Sequence, residues 1–250
     1  MTAVRMDRIW PELSLRLVGA ALVAVVLAGV ALTQRGPAAD LKRLPVMAER
    51  PIVLPDGHRL YVQRHEVTVA EWNACVADRA CSLELRTRPD QDPATTPATG
   101  LSYVDVQEYI RWINVETRQN FRLPTATEWN TMAASVLPEK PDPIFTDPSL
   151  TWASTYLTEG IAPRALKAQG SFSTSPEGIA DLDGSVWEWT QECYASASEG
   201  IDPARCPAFF VGGEHVAAMS YLVRDPARGG CAVGTPPAHL GMRLVSDKAV

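Results

Sequence analysis

An α+β, loop-rich domain behind an N-terminal apolar helix is the fold class that this sequence predicts, on three observations. A charge-free apolar segment, Leu17–Leu32, lies near the start. Three helix-start patterns fall between Thr68 and Glu128. Beyond Thr151, short apolar runs are broken by Gly, Pro, Asp and Ser with no helical period, the pattern of short strands held by loops. With 250 residues, 46% hydrophobic and 21% charged, the chain can bury a real core. Its net charge of −6, without any run of Lys or Arg, lacks the basic stripe that neutralises phosphates, so nucleic acid is not an expected partner.

Residues 1–33 are read as a signal or anchor segment. Arg5, Arg8 and Arg16 precede sixteen residues without a hydrogen-bonding side chain. That length falls between the roughly 7–15 apolar residues of a cleaved signal and the roughly 20 of a spanning helix. Gly29 and Ala31 form only a weak small-residue cleavage pattern, so a retained transmembrane anchor is the expectation and secretion after cleavage the alternative. A helix apolar all round at a chain end fits lipid better than a core contact, the third reading. Arg35, Lys42 and Arg43 balance the earlier arginines, so charge does not set orientation. Residues 34–50 show no sustained period and are expected to be a linker, with the domain proper at 51–250.

Within the domain, Pro51–Pro55 and Leu60–Val62 flank an Asp56-Gly57 turn and predict a hairpin. Thr68 with Glu71, Ser102 with Asp105, and Thr125 with Glu128 each match a capping box, in which a hydroxyl accepts from the amide three residues on and the acid there reaches back. The second opens the strongest amphipathic pattern, Val106, Tyr109, Ile110 and Ile113, which predicts a helix to about Thr117. The third places Trp129, Met132 and Ala133 on one side, and Pro138 limits its end. Polar, Pro-rich loops run from Thr87 to Gly100 and from Leu137 to Ser149, and there is no solenoid repeat.

Five cysteines are an independent sign of compartment. Cys75 and Cys81 bracket a charged turn, and Cys193 and Cys206 bracket a Ser-, Gly- and Pro-containing loop. Two local bridges with Cys231 left over is the simplest pairing, although spacing does not fix connectivity and buried reduced thiols are the alternative. Bridges would agree with export to a periplasmic or other extracytoplasmic space.

Ordered motifs carry more than any single one. They are Glu66-Val67-Thr68, Pro97–Ser102, Phe121-Arg122-Leu123-Pro124-Thr125-Ala126-Thr127-Glu128-Trp129, Gly178–Thr190 with Gly184-Ser185-Val186-Trp187-Glu188-Trp189, and Leu240–Val245. This set, across Pro51 to Val245, resembles the formylglycine-generating enzyme or sulfatase-modifying factor family. The resemblance implies an irregular variant of the C-type-lectin-like fold. It makes Arg122 and Glu128 a structural pair and Trp187 and Trp189 core aromatics whose indole N–H groups need partners. It also implies a calcium ion on Asp183, Gly184, Val186 and Glu188, because a Gly-containing turn can aim several oxygens at one point. The alternative is that Asp183 and Glu188 only cap the turn. A second family calcium segment is not recognisable around Trp152 to Thr158, so one ion is expected.

The family's oxidases bind copper(I) through two cysteines, because soft thiolates suit that ion. Aligned on Val211-Gly212-Gly213-Glu214, those positions fall on Ala217 and Leu222, and neither can ligate a metal. The alternative stretch, Arg228-Gly229-Gly230-Cys231, leaves too few residues before the closing motif and supplies one thiol. Copper is therefore not expected, and Cys231 remains a lone candidate nucleophile or intermolecular disulfide partner. His58, His65, His215 and His239 show no ligand spacing, and neither a phosphate loop nor a Gly-x-Ser-x-Gly elbow occurs. Three functions compete: a tethered accessory protein that binds a periplasmic partner, as in the nitrite-reductase accessory branch; a protein-modifying oxidase with a diverged metal site; and a lectin-like binding module.

Overall fold

The computed structural model describes residues 38–137, 165–194, 206–213, 217–224, 231–233 and 239–250, with the single positions 144 and 157. The predicted apolar helix and the Trp152–Thr158 segment lie outside the described residues, apart from position 157. Among the described residues no helix is long and apolar enough to cross a membrane. The chain divides into Met1–Ala39 and Asp40–Val250, and the second unit carries the fold described below.

All three capping boxes form helices. Thr68, Ser102 and Thr125 each accept from the backbone of Glu71, Asp105 and Glu128, and each acid returns a bond to the cap amide. The helices are α1 (Val69–Ala77), α2 (Tyr103–Thr117) and α3 (Ala126–Ala133). Stopping α2 falls to Arg118 in the left-handed region, while Asn114 clasps the backbone N–H and C=O of Phe121 and turns the chain back. The Asp56-Gly57 hairpin is also present, as β1 (Ile52–Val53) paired with β2 (Arg59–Val62), with Gly57 at φ 84°.

The linker expectation for residues 34–50 needs correction from Asp40 onward. Asp40 N–H donates to Glu116 at 2.8 Å, and Arg43 lies 4.9 Å from the centre of the Trp112 ring and pairs with Asp78 at 2.9 Å. Ala48 and Arg64 donate backbone N–H groups to Val62 and Val46, so this stretch runs beside β2. Leu44 and Met47 pack against the larger core and Ala48 against the smaller one, but the stretch is too short to show a sustained apolar period.

From residue 165 onward the described residues are strands and turns. A five-stranded sheet has the order β6-β5-β4-β3-β7, built from β3 (Val186–Cys193), β4 (Ala208–Gly212), β5 (Ala217–Ser220), β6 (Cys231–Val233) and β7 (His239–Gly241). Among the described strands, only β3 and β7 pair in parallel. The closing strand β8 (Val245–Ser246) joins β1 and β2 in a second sheet, and Arg122 forms a two-bond bridge with Val245. Residues Val186–Thr190 of β3 are buried throughout, because the sheet is covered on both faces. Alternation puts Trp187 and Trp189 on one face and Glu188 on the other. Gly212 and Gly213, at the end of β4, make that packing possible. A Cβ on Gly212 would lie 2.1 Å from the Trp129 ring, and one on Gly213 would lie 2.4 Å from Trp187.

Two disulfides, Cys75–Cys81 and Cys193–Cys206, are those expected from the local spacing. The first ties the end of α1 to the extended segment whose Leu83 carbonyl accepts from the Trp72 indole. Trp72 stacks on Tyr109 of α2, with ring centres 5.4 Å apart, at the heart of the larger core.

Candidate functional site

Ala217 opens β5 and is buried, whereas Leu222 sits on the turn after β5 and is 63% exposed. Neither brings a donor atom to the place where the resemblance puts copper. Tyr221, its neighbour in the chain, and Val104 of α2 are exposed large apolar side chains as well. Tyr103 N–H donates to the Tyr221 carbonyl at 3.1 Å, so this turn is stitched to the first residue of α2. Beneath it Tyr103 stacks on Phe209, and burial raises the Tyr103 hydroxyl above its ordinary range. Arg224 closes the arrangement with a two-pronged pair to Asp105 at 2.6 and 2.7 Å. Burial pushes the Asp105 carboxyl up, but bonds from Arg224 and Ser102 outweigh it and hold the group below its ordinary value. Exposed apolar side chains of this kind can bind an apolar segment of a partner, and none of these described residues carries a thiol. Cys231 begins β6 opposite Met219, and its side chain lies outside the described residues, as do Arg228, Gly229 and Gly230.

The four residues expected to hold calcium are close in the chain but face different partners. Asp183 accepts from Ser173 N–H at 3.0 Å, Gly184 N–H donates to Asp181, and Val186 pairs with His239 across the parallel ladder. Glu188 is 1% exposed and faces α3 and the closing segment, where Trp129 Nε1–H donates to it at 2.9 Å and Arg243 at 2.8 to 3.2 Å. Glu188 is therefore not free to take calcium. Its buried charge is neutralised by a guanidinium, and a divalent ion beside Arg243 would meet a like charge.

Arg243 is the residue that sequence reasoning left within a motif. It is completely buried, and all five of its N–H groups have acceptors: Glu188, the carbonyls of Gln63 and Arg64, and the carbonyl of Ala180. One side chain thus joins the exit of β2, the 178–184 turn and β3. Asp181, with φ 65°, is its neighbour; its carboxylate accepts from Gly170 and Phe172 N–H groups and from His65 at 3.2 Å. Glu66 completes the cluster at 3.7 Å from Arg243. A charged residue between Met242 and Leu244, both fully buried, was the available signal.

The expected structural pair is present. Arg122 donates to both oxygens of Glu128 at 2.7 Å and also to Asp247, which fastens the C-terminal segment to α3. Trp187 and Trp189 are core residues, and the Trp189 indole donates to the Leu101 carbonyl.

Residues 23–248 match the family described as the sulfatase-modifying factor enzyme 1-like domain. A curated protein, the formylglycine-generating enzyme of Mycobacterium tuberculosis (strain ATCC 25618 / H37Rv), is 28% identical over 184 residues, covering 62% of this chain and 59% of that enzyme. The chain thus spans well under two thirds of that relative's length. Among solved structures, PvdO from Pseudomonas aeruginosa shares the fold with a TM-score of 0.50 and 17% identity, over 83% of this chain and 96% of that one.

Proposed function

This chain belongs to the sulfatase-modifying factor enzyme 1-like family, and from that premise we propose that it works without copper. In this reading it is an exported, membrane-tethered accessory factor whose Tyr221–Leu222 face holds a periplasmic partner protein during that partner's maturation. One observation carries it: Ala217 and Leu222 stand at the copper positions, and the second belongs to an exposed apolar turn braced by Tyr103 and the Asp105–Arg224 pair. The two disulfides favour an oxidising compartment, and the arginine-flanked Leu17–Leu32 segment favours a tether. A redox enzyme such as a nitrite reductase is the concrete partner in this proposal.

Anaerobic copper(I) titration of the purified full chain is expected to give no stoichiometric site. Purification from membranes is expected to bring down one reproducible partner, which Leu222→Asp releases while leaving the melting temperature unchanged. Failure of Leu222→Asp to release it would remove the assignment of this face. The 28% identity to a formylglycine-generating enzyme favours a second reading, a protein-modifying oxidase with a diverged metal site. That reading requires a copper(I) site lost in Cys231→Ser.

A further inference from the structure

We propose that the buried charge cluster around Arg243 closes only with a proton on Glu66, and that this proton makes the domain a pH-sensitive latch. Three carboxyl groups, Glu66, Asp181 and Glu188, share one guanidinium in a region where none of the four side chains is more than 3% exposed. Two of the carboxylates are well supplied with donors. Asp181 takes two backbone N–H groups and His65, and Glu188 takes Arg243 and the Trp129 indole. Glu66 Oε2 is buried without a hydrogen-bond partner, and the nearest guanidinium nitrogen, at 3.7 Å, already gives its protons to Glu188 and Ala180.

Solvent does not rescue that oxygen. The crevice beside Glu66, lined by Pro97, Lys167, Phe172, Asp181 and Val186 among others, is too narrow for a water molecule. A negative charge on Oε2 would have neither a hydrogen-bond donor nor hydration, which is costly for a buried carboxylate. Arg243 and a hydrogen bond from the Glu66 backbone favour a negative charge, Glu188 of β3 and Asp181 of the turn repel it, and Lys167 borders the crevice with its ammonium over the Phe172 ring. Gln169 donates to the Glu66 backbone carbonyl and not to its side chain. The balance agrees with the geometry, since burial, opposed by Arg243 and reinforced by Glu188 and Asp181, pushes the Glu66 carboxyl up to about 8.

The sign of the pH effect follows. The folded value lies above the unfolded one of 4.5, so the folded state holds a proton that the unfolded chain releases. Stability from this group is complete below the unfolded value, declines as pH rises, and is gone once pH has passed through about 8. Lost with it is the joint between the β2 exit, the 178–184 turn, β3 and the closing segment.

The experiment compares wild type with Glu66→Gln, which keeps the shape and stays neutral. Urea unfolding between pH 5.5 and 7.5 is expected to show the wild-type unfolding constant rising about tenfold per pH unit relative to the variant, as release of one proton requires. Parallel pH curves for the two proteins would overturn the proposal. Infrared spectroscopy of the wild type provides a measurement independent of the variant's folding: the carbonyl stretch of a protonated carboxyl is expected at pH 6.5 and lost with a midpoint near the Glu66 value. No such band at pH 6.5 would equally overturn it.

Discussion

Replacing Arg243 by Met tests whether the buried guanidinium organises the domain. Methionine fills similar length but donates nothing, so Glu188, 1% exposed, keeps its charge with the Trp129 indole alone. Breaking one side of a buried pair costs about 3–5 kcal/mol. The carbonyls of Gln63, Arg64 and Ala180 also lose donors, each worth about 1–3 kcal/mol if left unpaired, though such terms do not add. Uptake of a proton by Glu188 limits the penalty, so about 4–5 kcal/mol is expected from a total of about 5–15 for a domain. Urea unfolding at pH 7, followed by tryptophan fluorescence, would show this as a midpoint lowered by about 1.5–2 M at an unchanged slope of about 2–3 kcal/mol/M. The double variant Arg243→Met/Glu188→Gln removes the stranded charge and keeps an acceptor for Trp129, so it should recover about 2 kcal/mol of the loss. A loss below about 1.5 kcal/mol for Arg243→Met, or no recovery in the double variant, would refute the reasoning.

Gly212→Ala should cost more than Gly57→Ala in the same unfolding assay. The first sets a Cβ 2.1 Å from the Trp129 ring and carries an overpacking cost of about 3 kcal/mol; the second meets nothing within 4 Å and carries about 1 kcal/mol for its positive φ. Chelation with EDTA is expected to leave the melting temperature unchanged, because Glu188 is held by Arg243; a calcium-dependent rise would restore the metal reading of the 183–188 turn. At acid pH the Asp105–Arg224 pair gives the opposite sign to Glu66. Its folded value is lowered, so its contribution is present at neutral pH and lost as pH falls through that lowered value. Asp105→Asn should therefore narrow the stability gap to wild type as unfolding is measured from about pH 5 down to about pH 2.5.

What was legible in the sequence was local. A capping box needs only residues three apart, and all three boxes formed helices at the expected caps. The hairpin rests on Asp56-Gly57, and the disulfides on cysteines 6 and 13 positions apart. Where pairing spans the chain, no local pattern exists: β3 meets β7 in parallel across some fifty residues, and β8 returns to β2 from the far end. Residues 40–50 were hidden for a related reason, since they join the domain through backbone groups, Arg43 and a few apolar side chains, Leu44, Met47 and Ala48, in a stretch too short to show a period.

The 183–188 turn shows why motif and chemistry separate. An acid at position 188 reads the same whether its counter-charge is a metal or a guanidinium 55 residues away, and the sequence near it cannot distinguish the two. The deciding residue is Arg243, which is fully buried, and a buried guanidinium needs a carboxylate. The same logic applies at the copper positions. Positions 212 and 213 require glycine because two tryptophans press on them, which is a demand of packing, whereas nothing in the packing demands a thiol at 217 or 222. The fold motifs therefore do not by themselves fix which residues stand at the copper positions.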